Sequence, residues 1–293
     1  MNPATLYPLI GQRNTYYVRR FTPNGAYVGT DLNGSDGIEI LLPRREVPDQ
    51  IQVGDACQLF VYTDSEDRPV ATRQQALVKA NEVAYLTVKT INKIGAFFDW
   101  GLPKDLLVPF SEQTKRLDIG RRYLIYAYAD PASNRMVGTM YLPKFIKNND
   151  LTVAESDAVQ LVVAEFHERG LRVVVNHRHW GMVYADQIFQ TIRIGQTLSG
   201  YVRHIREDNK LDISLQADGY DASIDHSVAR LEAMLERSGG FVPLTDHSPP
   251  EDIYALLQMS KKQFKKAVGL LFKQRLISIE PNGIRRIKQG NDQ

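Results

Sequence analysis

Cysteine is almost absent: Cys57 is the only one in 293 residues. An internal disulfide and any multi-cysteine metal site are therefore excluded. Net charge is nearly absent too. Thirty-six Lys and Arg stand against 34 Asp and Glu, leaving +2, so the total points to no partner. No apolar run reaches the roughly 18 residues of a membrane span. The opening MNPATLYPLIGQ has no basic region before a long apolar stretch, which argues against a signal peptide. The expectation is a cytoplasmic protein. Catalytic constellations are also missing. His167, His177, His179, His204, His226 and His247 are scattered, and His177-Arg178-His179 has no carboxylate or cysteine at ligand spacing, so it is expected to be a polar turn. Asn33 to Gly37 is glycine-rich but lacks the pattern and helix of a phosphate loop. Asp64, Glu66 and Asp67 read as solvated turn carboxylates, and Cys57 has no nearby histidine to activate it. A non-enzymatic protein without cofactor or metal is expected.

The most informative stretch that is present is Val88 to Pro109, VKTINKIGAFFDWGLPKDLLVP. Gly95 marks a bend, where the lack of a Cβ lets another backbone approach. Alternation after it puts Ala96, Phe98 and Trp100 on one face of a strand and Phe97 and Asp99 on the other. The face carrying Asp99 is the wetter, so Phe98 and Trp100 are expected in the core and Phe97 outside. Gly101 to Asp105 turns the chain into the apolar strand Leu106–Pro109, ending near Ser111-Glu112. This order resembles the core of an S1 domain, an OB-fold barrel of a family that binds single-stranded RNA.

The pattern recurs. Gly25, Gly95 and Gly170 each follow a strand, and Val53-Gly54, Ile119-Gly120 and Ile194-Gly195 each precede a later one. Pro43, Pro109 and Tyr184 end the middle apolar strand, and Asp64, Asp130 and Asp208 fall in the last hairpin turn. In the first unit the bent strand is read from Arg19 to Thr30. The same alternation makes Tyr27 outward there and puts Arg172 in that place in the third unit. Three tandem five-stranded barrels follow.

Beyond residue 217 the periodicity becomes helical. Val228, Leu231, Met234 and Leu235 share one face of a helix over Asp225–Arg237. Ser248-Pro249-Pro250-Glu251 reads as a capping box opening a helix to about Met259, and Ser260-Lys261-Lys262-Gln263 as another opening a helix to about Gln274. Phe264, Val268 and Leu271 point inward on the latter, with Lys261, Lys262, Lys265 and Lys273 largely opposite. A hairpin follows around Pro281-Asn282-Gly283. This is the element order of a winged helix. The fold expected is multidomain and mainly β: barrels over 1–78, 79–149 and 150–224, then an α+β winged-helix domain over 225–293. Charge divides unevenly among these segments, at −2, +5, −4 and +3. The positive field sits on the second barrel and the C-terminal domain, as phosphate neutralisation requires.

The whole arrangement resembles the conserved virulence factor B family, the YitL-like bacterial proteins. Its most specific stretches are Ile40 to Pro48, Ile94 to Gly101, Asp105 to Phe110 and Ser260 to Ala267. The resemblance implies a bacterial RNA-binding protein that regulates gene expression without catalysis of its own. An S1 domain typically contacts RNA through an aromatic before the glycine bend, the aromatic of Gly-Ala-Phe, a histidine ending the third strand, and an Asp and Arg four apart in the last turn. In the second barrel these fall on Ile94, Phe97, Pro109, Asp130 and Asn134, of which Phe97 and Asp130 match. In the first they fall on Asn24, Tyr27, Pro43, Asp64 and Arg68, keeping an aromatic and the Asp–Arg pair. In the third they fall on Arg169, Arg172, Tyr184, Asp208 and Asp212.

The leading expectation is single-stranded RNA binding. Phe97, Tyr27 and Tyr184 would stack on bases, joined by the Arg172 guanidinium. Lys89, Lys93, Arg121, Arg122 and Arg68 would neutralise phosphates, with Lys261, Lys262 and Lys265 as a further contact. The alternatives are a DNA-binding transcriptional regulator read through the winged helix, and an adaptor for ribosomal or RNA-degrading proteins.

Overall fold

A computed structural model describes residues 9–35, 37–188, 191–215 and 222–287, without the side chains of residues 186 and 222–226. Asp36, in the expected Asn33–Gly37 turn, and the His226 side chain lie outside the described residues. The chain divides into two compact units, Met1–Val183 with Ile192–Ile213, and Tyr184–Thr191 with Ser214–Gln293.

The barrels are all there. Barrel 1 is β1 (Arg13–Thr22), β2 (Gly25–Gly29), β3 (Ile40–Pro43), β4 (Ala56–Thr63) and β5 (Pro69–Thr72). Barrel 2 is β6 (Glu82–Ile91), β7 (Gly95–Asp99), β8 (Leu106–Pro109), β9 (Arg122–Asp130) and β10 (Arg135–Thr139). Barrel 3 is β11 (Ala158–His167), β12 (Gly170–Val175), β13 (His179–Tyr184), β14 (Thr197–Ile205) and β15 (Leu211–Ser214). Each closes in the same cyclic order, with its third and fifth strands parallel. The first strand of barrel 1 starts at Arg13, earlier than expected. Its exposed and half-buried polar residues hid its period from a reading anchored on apolar residues.

The glycine bends have the anticipated cause. A Cβ on Gly25 would lie 2.0 Å from the Leu42 carbonyl oxygen, and one on Gly95 would lie 2.3 Å from that of Val108. Both backbones also hold positive φ, +145° and +159°. The second strand can meet the end of the third only without a side chain there.

A clamp also repeats that the sequence reading did not contain. The third strand runs into a single 3₁₀ turn, over Arg44–Glu46, Phe110–Glu112 and Ala185–Gln187. In barrel 1 the buried Glu46 carboxylate accepts from Thr72 Oγ1 (2.5 Å), from the Arg73 amide (2.7 Å) and from Gln74 Nε2 (3.1 Å). In barrel 2 Glu112 accepts from Thr139 Oγ1 at 2.5 Å and from Lys144 Nζ at 2.9 Å. Burial pushes the Glu112 carboxyl up, but these hydrogen bonds outweigh it and hold the group below the usual carboxylate range. Gln187 stands at the same place in the third repeat.

The barrels of the first unit are fused rather than beaded. Trp100, expected inside barrel 2, is instead edge-on to Phe60 and Tyr62 of barrel 1, with centroids 5.8 and 6.2 Å apart. It is 2% exposed, and one continuous apolar core runs through both barrels. Phe98 is fully buried, as alternation required. Lys104 Nζ donates to the Asp64 carbonyl at 2.5 Å, and Arg135 pairs with Asp67. Between barrels 2 and 3, Phe145 stacks on Tyr126 (4.4 Å) within a second cluster that includes Val83, Ile146, Val162 and Val174.

His177-Arg178-His179 is not a simple polar turn. His177 Nδ1 accepts the Val83 amide of barrel 2 at 3.0 Å. His179, 1% exposed, meets the Lys147 carbonyl through Nδ1 at 2.7 Å and Thr152 Oγ1 through Nε2 at 2.8 Å. The carbonyl can only accept, so Nδ1 carries the proton and Nε2 accepts. Both histidines are structural pins.

The C-terminal elements are α1 (Ala222–Arg237), β16 (Phe241–Val242), α2 (Pro250–Leu257), α3 (Lys261–Lys273), β17 (Ile277–Glu280) and β18 (Gly283–Arg286). The sheet order is β16-β18-β17. Leu231, Leu235, Ile253, Leu257, Phe264, Val268, Leu271, Ile277 and Ile284 form its core. The Ser260–Gln263 capping box forms as expected. The one at Ser248 does not: Pro249 occupies the cap of α2, and the Ser248 hydroxyl accepts the Thr245 amide at 2.9 Å instead. That helix ends at Leu257, with Gln258 left-handed (φ +52°).

Candidate nucleic-acid interface

In every barrel the first strand carries a β-bulge against the second, at Val18/Arg20, Val88/Thr90 and Val163/Glu165. A bulge bends a strand and re-aims the residues beside it. The pairs immediately after it are Arg20–Tyr27, Thr90–Phe97 and Glu165–Arg172. Tyr27, Phe97 and Arg172 are thus one structural position. Each is half-buried and flanked by two buried residues, so each faces outward from its barrel.

What covers that position differs. The Arg20 guanidinium lies over the Tyr27 ring at 3.9 Å and is held by Glu39 at 2.8 Å. Arg172 lies over the Trp180 indole at 3.9 Å and pairs with Glu165 at 3.0 Å. No ring or cation lies on Phe97 among the described residues. Phe97 is therefore the open platform, while barrels 1 and 3 present guanidinium planes already stacked on a ring. Arg20, Tyr85 and Trp180 were missed by the sequence reading. Arg20 was detectable, because the bulge-side partner always precedes the outward residue by seven positions.

The expected cations fall into three settings. Arg68 is bound up in its own turn, pairing with Asp64 at 2.7 Å and Glu66 at 2.9 Å, while Asp64 also accepts the Glu66 and Arg68 amides. Burial pushes the Asp64 carboxyl up, but the Arg68 and backbone hydrogen bonds leave it net lowered. The Asp–Arg element of the S1 pattern is thus intact in barrel 1. In barrel 2 its place is taken by Asp130 bound to Ser133, and in barrel 3 by Asp208–Lys210 and Arg206–Asp212 pairs. Lys89 sits on the outer edge of β6 and pairs with Asp105 at 2.7 Å, a hydrogen bond that raises its pKa. Lys93 is exposed in the β6–β7 turn, with no ion pair among the described residues. Exposed pairs of this kind are screened by solvent and contribute little, so exchange for a phosphate costs little.

Arg121, Arg122 and Arg172, by contrast, are brought together on one cleft. Tyr184 ends β13 and is half-buried, at the place of the third-strand histidine of S1 domains. On α3, Lys262 and Lys265 are exposed and Lys261 half-buried, with Lys265 3.8 Å from Asp246.

Other chemistry finds no support. Burial pushes the Cys57 thiol up, away from the reactive thiolate. No group of three or more His, Cys, Asp and Glu is placed to hold a metal among the described residues. None of their helices is long and apolar enough to cross a membrane.

Residues 10–74 match the S1 domain family, and residues 229–285 match the CvfB-like winged helix domain. Neither is an enzyme family, and both domain types support nucleic-acid binding as the broad function. The chain is 25% identical over 273 residues to conserved virulence factor B of Staphylococcus saprophyticus, covering 88% of this chain and 89% of that protein. It is 27% identical over 278 residues to the uncharacterized protein YitL of Bacillus subtilis, covering 90% and 89%. A crystal structure of a multidomain protein with nucleic acid binding domains from Streptococcus pneumoniae is 24% identical, over 96% of this chain and 99% of that one, with a TM-score of 0.40.

Proposed function

We propose that this chain, a homologue along most of its length of the proteins named conserved virulence factor B, binds single-stranded RNA and regulates gene expression after transcription. The observation that carries the reading is the outward position set by the same bulge in all three barrels, filled by Tyr27, Phe97 and Arg172. Rings and guanidinium planes both stack on bases of any sequence. The neighbouring cations supply phosphate neutralisation, and cytoplasmic transcripts are the ligands that suit such a surface.

Phe97 is the sharpest point of the proposal. Its open ring is worth roughly 1–3 kcal/mol if one base stacks on it, so Phe97→Ala weakens binding about 5- to 150-fold. The measurement is fluorescence anisotropy of the full chain with a labelled single-stranded RNA about 20 nucleotides long, with duplex DNA as competitor. Tight, salt-sensitive binding that duplex DNA fails to displace, and that Phe97→Ala weakens, supports the proposal. Displacement by duplex DNA moves the function to α3, where exposed Lys262 and Lys265 favour that second reading. No binding to either nucleic acid leaves the adaptor role.

A further inference from the structure

Barrels 2 and 3 do not close tightly on one another along their whole contact. They leave a cleft of about 910 Å³. Barrel 2 lines it with Lys115, Arg116, Arg121 and Arg122, and barrel 3 with Arg172 and Glu165. Five cations therefore face one carboxylate, and that carboxylate is already bound to Arg172 at 3.0 Å.

The walls behind these cations are aromatic. Arg122 lies over the Tyr85 ring at 5.0 Å and donates to the Tyr85 carbonyl at 2.7 Å. Lys115 Nζ is 5.3 Å from the centre of Tyr123, and Arg172 is 3.9 Å from that of Trp180. Rings of this kind orient a cation without neutralising it, so its donors stay available to an anion. The junction itself is built to one shape. Gly195 of barrel 3 abuts the Tyr85 ring so closely that a Cβ there would lie 2.2 Å from it.

Crowding five like charges into one cleft costs folding energy through mutual repulsion, and Glu165 together with Asp118, 3.6 Å from Arg121, offsets only part of it. A polyanion does. Arg172 is shared between this cleft and the outward platform position of barrel 3, so a strand lying on that platform leads directly into the cleft. Phe97 is not part of the lining. We infer that the cleft between barrels 2 and 3 clamps the phosphodiester backbone of single-stranded RNA as the strand passes from barrel 3 to barrel 2. This rests on the RNA reading above and adds to it a site outside the usual strand face of either barrel.

The test uses the full chain, the same labelled RNA and a series of salt concentrations. Lys115, Arg116 and Arg121 are exposed, so the triple variant Lys115→Gln, Arg116→Gln, Arg121→Gln removes charge and leaves the core intact. Its thermal melting, compared with wild type, checks that. If each lost phosphate contact lowers the salt slope by about 0.7, the triple variant loses about 2 from the slope and at least about 10-fold in affinity. Phe97→Ala, run beside it, weakens binding with the slope unchanged. The variant Arg116→Lys, Arg121→Lys keeps the charge and keeps most of the slope. A triple variant that binds like wild type, while Phe97→Ala is impaired, overturns the cleft and leaves the RNA reading standing. Lost affinity with an unchanged slope also overturns it, since the cations would then not be meeting phosphates. Wild-type protein that fails to bind RNA overturns both.

Discussion

His177 shows how much one side chain contributes to holding two barrels in register. Its Nδ1 accepts the Val83 amide, so Nε2 carries the hydrogen and meets Gln160 Oε1 at 3.2 Å. Protonation removes that acceptor. Burial holds the imidazole below its ordinary 6.5, helped by Lys79 and opposed by Glu82. The native state therefore binds fewer protons than the unfolded one in the interval below 6.5. Stability from this group is complete above that value and is lost as pH falls from it through the lowered native pKa. Thermal melting of wild type should drop across that interval more steeply than that of His177→Gln, which has no titrating group there. Equal slopes would remove His177 from the account. Phe97 shows the opposite situation at this scale. Its outward aim followed from simple alternation, but the freedom of its ring from any cation depends on what the neighbouring chain places there, and that was not legible.

At the scale of elements, the recurring unit is more than five strands. The 3₁₀ turn after the third strand carries a carboxylate that ties off the end of the fifth, through Glu46–Thr72 and Glu112–Thr139. Glu46→Ala leaves the Thr72 hydroxyl and the Arg73 amide without their acceptor in a buried setting, at a cost of about 2–3 kcal/mol. Glu46→Gln keeps an acceptor and should cost less. Urea unfolding of both variants measures the difference, and a neutral Glu46→Ala would show that the clamp does not stabilise the barrel. Glycine bends were readable because a missing side chain is written in the sequence. The clamp was not, since its two ends lie 26 residues apart and neither is unusual where it stands. The Ser248 cap failed for a related reason: a hydroxyl has several amides within reach, and the turn from Thr245 claimed it first.

For the first compact unit as a whole, the decisive residue is Trp100. By alternation it belonged to barrel 2, but its indole fills the seam with barrel 1 against Phe60 and Tyr62. Truncating so large a buried side chain costs about 3–5 kcal/mol. Because the loss falls between two barrels, Trp100→Ala should also split their unfolding into separate steps. Calorimetry reads both effects, and a variant that still unfolds as one step would show that the seam does not couple the barrels. A separate cluster, with Phe145 stacked on Tyr126, joins barrels 2 and 3, which also share the charged cleft where Arg121, Arg122 and Arg172 converge from parts of the chain some fifty residues apart.

The sequence by itself determined the repeat, the three five-stranded barrels, the winged helix and the outward positions at Tyr27, Phe97 and Arg172. All of these depend on local periods, glycine and proline placement and short-range spacing, which a linear reading contains. Only the tertiary structure decided that Trp100 and His177 join barrels, that Glu46 and Glu112 close them, and that three expected arginines share one cleft. Those outcomes depend on which surfaces of successive barrels meet. That choice is made by the summed packing of many side chains far apart in the chain, and no single residue announces it.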